Sequence, residues 1–439
     1  MAAVIGVDLG SSSARAIAID ETGRVLASAT ARYPGAERWP EGRADASAWL
    51  HAVAHVVREV GTEHPEAARP RAVSIGGQSP SVVADAVPHA VTVRHPAGAT
   101  LPPRDQHLAQ AEVLAGEGGL ACSQGYDWVA RQFGARDVQS RWIDDDPIPG
   151  FGDLHRTGSV IGTSNGAHGL PTGVLIAAGG QDAFLAFWAG GLTRVGLAMD
   201  PGGRTGGLVA TAPALQLDAD AFRIASPNRD IAIVGGPVNA HGLSIEWLRD
   251  LTARPVEWLL GVAEGVPAGA GGVVFAPYLE GERAPRWNRD VRGGLSGLAS
   301  GTGPAQLTRA VLEGTAYGLR HILDGIRTQG ISPEVLICTG SPSRSRLWCS
   351  IKASILGLPV LVPDEPDLAA LGSAYSAGAA AGWWPRPGET DEPDAWPARE
   401  MTRIEPEPLT EYEDGYRRFL ELGDFAETQA VVAATTTRT

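Results

Sequence analysis

The chain has 439 residues, 44% hydrophobic and 20% charged, with a formal net charge of -14 at pH 7. Its length exceeds one ordinary core and predicts two domains, and its composition is that of a globular protein. The acidic balance excludes nucleic acid as a partner, since phosphate backbones need a basic surface, but it admits a nucleotide held by a local loop and a metal ion.

Residues 3–7 are apolar and β-branched and read as a strand. No basic leader with a cleavage site precedes them, so no signal peptide is expected. Asp8-Leu9-Gly10-Ser11-Ser12-Ser13 is a short polar loop, residues 15–20 alternate as a second strand, Thr22-Gly23 turns, and residues 24–30 resume as a third. This is a meander, whereas a dinucleotide-binding unit would place a helix after its glycine loop. A Gly/Ser turn between strands offers backbone N–H groups and hydroxyls to an anion. Asp8 can hold the water shell of a magnesium ion, and Arg15 supplies a cation. The bland alternative is a plain hairpin turn, which needs neither the three serines nor the aspartate.

Trp49, Val53, Val56, Val57 and Val60 recur at helical spacing and predict a helix over 47–61. Residues 72–76 return as a strand ending in Gly77-Gln78-Ser79-Pro80. The stretch 94–163 holds scattered Pro, Gly and Asp and reads as loops with a short helix near 106–115. An apolar strand over 174–178 then leads into Gly179-Gly180-Gln181-Asp182-Ala183 and an apolar, helical run. A carboxylate at that joint can accept a proton from a substrate hydroxyl; it can equally be a helix N-cap. The domain boundary falls near Leu192-Thr193, which gives domains 1–193 and 194–427 and a frayed tail 428–439.

The second half repeats the theme. A strand over 194–199 meets Asp200-Pro201-Gly202-Gly203-Arg204-Thr205-Gly206-Gly207, and residues 208–210 resume as a strand. A duplicated fold with one phosphate loop per domain follows. Pro304 opens and Gly330 closes the clearest helix. A strand over 335–337 leads to Cys338-Thr339-Gly340-Ser341-Pro342-Ser343-Arg344-Ser345, where small residues at a helix start suit an adenosine or a phosphate, or a Ser-rich N-cap. Lys352 is the single lysine, so the lysine-bearing phosphate loop G-x-x-x-x-G-K-[ST] is absent. Cys122, Cys338 and Cys349 are odd in number and far apart, which predicts a reducing compartment and no disulfide or zinc framework. No apolar run approaches the roughly 18 residues of a membrane span. A cytoplasmic protein without a membrane partner is expected.

In this order the motifs resemble the FGGY carbohydrate kinases and, within them, the xylulokinase-like branch. That family carries an Asp-x-Gly-[Ser/Thr]-[Ser/Thr]-Ser-x-[Lys/Arg] loop, a Gly-Gly-x-Asp segment, a second glycine loop and a Gly-Gly-x-x-Arg-Ser segment; these look like residues 8–15, 179–182, 202–207 and 340–345. Further likeness lies in residues 275–285, 310–314 and 367–374, so it covers nearly the whole chain. The resemblance implies an α/β protein of two ribonuclease-H-like domains, as in actin and hexokinase, around a central cleft. It implies ATP and Mg2+ as cofactors, a ketose or related polyol as the small-molecule partner, and a homodimer as a candidate assembly. Asp182 would be the general base and Asp8 the magnesium organiser. Gly10, Ser11, Ser12, Ser13 and Arg15 would contact phosphates, with Gly203, Arg204, Thr205 and Gly206 at the γ-phosphate. Gly340, Ser341 and Ser345 would border adenosine. Gln78 and Asp105 would bind sugar hydroxyls alongside Asp182.

Four features depart from the family pattern. The stretch between 105 and 157 is short, and Arg104-Asp105 stands where a Trp-x-Asp-x-Arg segment is usual. Arg204 replaces a small hydroxyl residue, and Ser341-Pro342 interrupts a glycine run. They motivate one rival, a sugar- or nucleotide-binding regulator that has lost catalysis. An actin- or chaperone-type ATPase is disfavoured by Gly281-Glu282-Arg283.

Overall fold

The computed structural model describes residues 2–87, 89–92, 95–96, 103–214 and 223–436. It divides into two compact units, one of Met1–Thr193, Ala225–Arg229 and Asp367–Ala398, the other of Arg194–Ile224, Asp230–Pro366 and Arg399–Thr439.

The first unit is built on a six-stranded sheet. Its order among the described residues is Val160–Thr163, Leu175–Ala177, Ala72–Gly77, Ala3–Leu9, Ser13–Asp20, Val25–Arg32. The first three strands of the chain form the antiparallel meander, and Ala3–Leu9 also pairs in parallel with Ala72–Gly77. Every residue of Ala3–Leu9 is buried, as a strand covered on both faces must be. Alternation sends Ile5, Val7 and Leu9 to one face, where they join Trp49, Val53 and Val57 of the helix Ala46–Glu63 in one core cluster. Asp45 caps that helix by accepting hydrogen bonds from the N–H groups of Ser47 and Ala48. On the other face the helix Leu368–Ala380 comes so close that a Cβ on Gly6 would lie 2.0 Å from the Ala374 nitrogen. The same helix meets Asp182–Ala189, where a Cβ on Gly372 would lie 2.1 Å from the Leu185 carbonyl oxygen.

The second main sheet, seven-stranded, runs from Arg223–Ala225 through Ile231–Pro237, Gly207–Pro213, Leu197–Asp200, Val335–Cys338 and Val360–Pro363 to Met401–Ile404. Leu197–Asp200 pairs antiparallel with Gly207–Pro213 and parallel with Val335–Cys338. This is the arrangement around Ala3–Leu9 again, so the duplication read from the two glycine loops is present in the topology. The helix Pro304–Thr328 starts with proline in its first turn and Gln306 Oε1 accepting from the Gly303 N–H. It packs its buried face, including Val311, Leu319 and Ile322, into a second core cluster.

Three expectations differ from the structure. The stretch 94–163 is not mostly loop: beyond the helix Pro103–Gly116 it holds the helix Gly125–Phe133 and the strands Cys122–Gln124, Val138–Arg141, Asp153–Arg156 and Val160–Thr163. Polar residues such as Gln124, Asp127, Gln139 and Ser140 broke the apolar pattern there because they are buried and hydrogen-bonded to one another and to backbone. Residues 94 and 97–102 of that stretch lie outside the described residues. The segment Asp367–Ala398 groups with the first unit, whereas a single boundary near 193 assigned it to the second half. The tail expected to fray from 428 continues the helix Thr410–Thr436, and residues 437–439 lie outside the described residues.

Candidate active site

In the first unit the candidate residues gather at the C-terminal ends of Ala3–Leu9 and Ala72–Gly77. The antiparallel register sets Asp8 opposite Arg15, and the parallel register sets it beside Gly76. Asp8 is 5% exposed, and its Oδ1 is buried without a hydrogen-bond partner. Burial, and secondarily the carboxylate of Asp182, push its pKa up to about 7, against the pull of Arg15. The loop after it is a tight turn: the Gly10 N–H donates to the Ser13 carbonyl at 3.1 Å, and the Tyr33 hydroxyl donates to the Gly10 carbonyl at 3.0 Å. Ser11 and Ser12 are exposed at its tip, while Ser13 is buried at the start of the next strand. Arg15 reaches Asp367 at 3.4 Å, just before the helix Leu368–Ala380. Gln78 is nearly buried; its side-chain amide approaches the Gly10 carbonyl at 3.5 Å.

Asp182 arrives at the same strand ends from the far side of the chain. The Gly77 N–H donates to the Gly180 carbonyl at 3.0 Å. A Cβ on Gly179 would stand 1.9 Å from the Ile75 carbonyl oxygen, so only glycine lets the two backbones meet. The helix Asp182–Ala189 has Gln181 as its N-cap, without a side-chain cap bond. Asp182 is therefore the first helical residue and not the cap that was the bland alternative. Its Oδ1 accepts from the Ala183 N–H at 2.7 Å, and burial raises its pKa. Burial pushes the Tyr126 hydroxyl up, and the Asp182 carboxylate makes a small addition to that effect.

The second unit carries a glycine loop of its own. Residues 202–206 turn through Gly202, Gly203 and Gly206, with φ of 65°, 80° and 72°. Gly203, Arg204 and Thr205 are exposed at the tip. Arg204 forms an ion pair with Glu246 on the helix Gly242–Thr252, a partner that no local pattern announced. A Cβ on Gly202 would lie 2.2 Å from the Thr339 carbonyl oxygen, so this loop and the segment 339–345 form one surface with Gly340 beside it. Ser341 is exposed, and Ser345 caps the helix Arg346–Leu356 by accepting from the Trp348 N–H at 3.2 Å. Its hydroxyl is thus already engaged.

Asp105 is exposed in the first turn of Pro103–Gly116. Its neighbour His107 is the residue that reaches back: 1% exposed, it lies 3.2 Å from the hydroxyl of Ser79. The Tyr126 hydroxyl donates to Gln124 at 2.6 Å, and the Thr157 hydroxyl donates to the Gly179 carbonyl at 2.8 Å; both also went unread. Among the described residues no group of three or more His, Cys, Asp or Glu could hold a metal. The buried, unpartnered Oδ1 of Asp8 is a carboxylate oxygen of the kind that can face the water shell of a magnesium ion.

Known proteins show the same two-part pattern. The chain is 36% identical over 163 residues to a glycerol kinase of Chloroflexus aggregans, a match covering 36% of this chain and 31% of that one. It is 34% identical over 154 residues to a gluconokinase of Bacillus subtilis, covering 32% and 30%. These matches span only about a third of the curated relatives' length. The crystal structure of a xylulose kinase from Rhodospirillum rubrum superposes with a TM-score of 0.73 over 98% of this chain and 99% of that one, at 24% identity. The family descriptions match residues 3–86 for the N-terminal domain and residues 205–381 for the C-terminal domain, together more than half of the chain. The chain belongs to the FGGY family of carbohydrate kinases.

Proposed function

We propose that this protein transfers the γ-phosphoryl group of ATP to a hydroxyl of a ketose, polyol or sugar acid, with Asp182 as the general base. The observation that carries the reading is the convergence of Asp182 and Asp8 at one pair of strand ends, with Asp182 released from capping. A carboxylate with a raised pKa is a stronger base than a free one, which suits removal of a hydroxyl proton. The proton passes to Asp182 as the hydroxyl oxygen bonds to the γ-phosphorus; the bond to the bridging oxygen breaks, and ADP leaves. Phosphoryl transfer of this kind depends chiefly on positioning and charge neutralisation. Gly10, Ser11, Ser12 and Arg15, and likewise Gly203, Arg204, Thr205 and Gly206, offer backbone N–H groups, hydroxyls and a cation that suit phosphate oxygens. Asp8 would hold the shell of a magnesium ion, which neutralises phosphate charge when bound.

Glycerol kinases and gluconokinases among the relatives, and xylulose kinases among the structural neighbours, define the substrates to try first. Of these we favour a xylulose-like ketose. Gln78 and Asp105 remain the candidates for the sugar hydroxyls, and Ser79 with His107 joins them as a further polar pair beside Gln78. Asp182→Asn decides the reading: kcat should fall by about 10²–10⁴-fold with the melting temperature unchanged. A near-wild-type kcat would remove Asp182 from the mechanism. A second reading, a binder without catalysis, is favoured by the ion pair that occupies Arg204. Absence of ATP consumption across ketoses, polyols and aldonates, with nucleotide binding intact, would select it.

A further inference from the structure

The single lysine of this chain is fully buried, and it is buried against the second phosphate loop. Lys352 Nζ lies 2.5 Å from Asp200 Oδ2, and both side chains are 0% exposed. The other oxygen of the same carboxylate accepts the Gly202 N–H at 2.9 Å, and the Asp200 carbonyl accepts the Thr339 N–H at 3.1 Å. His241 is also 0% exposed, 3.4 Å from Asp200 Oδ2, with neither ring nitrogen hydrogen-bonded. Its ring stacks on Trp348 at 5.1 Å and 8°, and Lys352 Nζ lies 5.1 Å from the same indole. From behind the loop, the His241 N–H donates to the carbonyls of Arg204 and Thr205, and the Gly242 N–H donates to that of Gly203. A Cβ on Gly206 would lie 2.6 Å from the His241 Cβ.

We propose that Asp200, Lys352 and His241 form a buried positioning device that holds the loop 201–206 and the segment 339–340 in the shape that receives the nucleotide's phosphates. The inference rests on the reading of this protein as an ATP-dependent kinase. Its physical basis is that the charged centre is out of place as a source of stability. Two charges removed from water recover their desolvation cost only when further hydrogen bonds complete them, and an apolar pair of similar volume is often as stable. What an apolar pair cannot do is accept the Gly202 N–H. The loop turns through three glycines with positive φ, Gly202, Gly203 and Gly206, which leave its backbone free to take other shapes unless neighbouring groups hold it. Asp200 ties the loop's first turn to a helix-borne cation, and His241 fills the space behind its last turn. These are positioning residues; none touches a reacting atom.

The test is the double variant Asp200→Leu with Lys352→Met, which removes both charges together and leaves no unpaired ion. Calorimetry with ATP and ADP, and steady-state kinetics with each substrate varied, are compared with wild type. The device predicts a melting temperature near wild type and an unchanged KM for the sugar. It predicts ATP affinity weakened by about 10- to 100-fold, the range for losing a hydrogen bond to a charged group. Wild-type ATP affinity in a folded double variant would overturn it. Should the double variant not fold, hydrogen exchange in the nucleotide-free wild type decides: the peptide containing Gly202 should be protected well beyond an exposed loop, and loop-like exchange there overturns the proposal. A wild-type protein that binds neither ATP nor ADP overturns the kinase reading and the nucleotide role together, whereas intact wild-type binding with an indifferent double variant overturns the device alone.

Discussion

Arg204 is where one side chain has two candidate partners of unequal strength. Its guanidinium pairs with Glu246, and both groups are partly exposed, 42% and 29%. A pair so open to solvent contributes only about 0–1 kcal/mol. A phosphate oxygen offered to the same guanidinium contributes roughly 1.5–3 kcal/mol. If ATP binds at this loop as proposed, the phosphate outcompetes Glu246 for the guanidinium. Arg204→Ala should weaken ATP binding by about that larger amount and affect ADP less. Glu246→Gln should tighten ATP by at most about fivefold, because it removes only the weaker competitor. Calorimetric titration of both variants checks this, and tighter ATP binding by Arg204→Ala would make the arginine an obstruction and favour the non-catalytic reading. Asp8, Asp182 and the loop residues around them were legible because their pattern is local. Glu246, His107 and Asp200 were not, because each acts through a contact 28 residues or more along the chain.

At the scale of elements, glycines mark where backbones touch. Gly6 is interior to a strand, where glycine costs conformational entropy and packs nothing. The helix Leu368–Ala380 explains it, since a Cβ there would press into the backbone of Ala374 and Ala370. Gly6→Ala should destabilise by about 1–3 kcal/mol, the usual cost of overpacking. Thermal unfolding should show a fall of several degrees, and an unchanged melting temperature would mean that the helix can move aside. Gly179→Ala faces the same constraint against Ile75, but next to Asp182. It should lower kcat as well as stability, because the displaced segment carries the proposed base. Periodicity found the helices Ala46–Glu63 and Pro304–Thr328 to within a few residues, since each has a clear apolar face and recognisable ends. It failed over 122–163, where buried Gln124, Asp127 and Gln139 interrupt the apolar pattern.

For the whole molecule, the path of the chain matters more than the boundary near 193. The first unit is completed by Asp367–Ala398, whose helix covers the sheet face that carries Gly6 and Asp8. A fragment of residues 1–193 should therefore be insoluble or molten, with an apolar sheet face uncovered. A well-dispersed NMR spectrum from that fragment would refute this. By itself the sequence determined that the chain is a duplicated α/β protein with a glycine-containing loop after the first strand of each half and an aspartate at a strand-to-helix joint. Those features are written in residues that adjoin one another. Only the tertiary structure decided that Asp182 is free of capping, that Arg204 rests on Glu246, and that the one lysine is buried on Asp200. Each of these depends on which distant segments pack together, and packing is set by the summed fit of two cores, which no local pattern specifies.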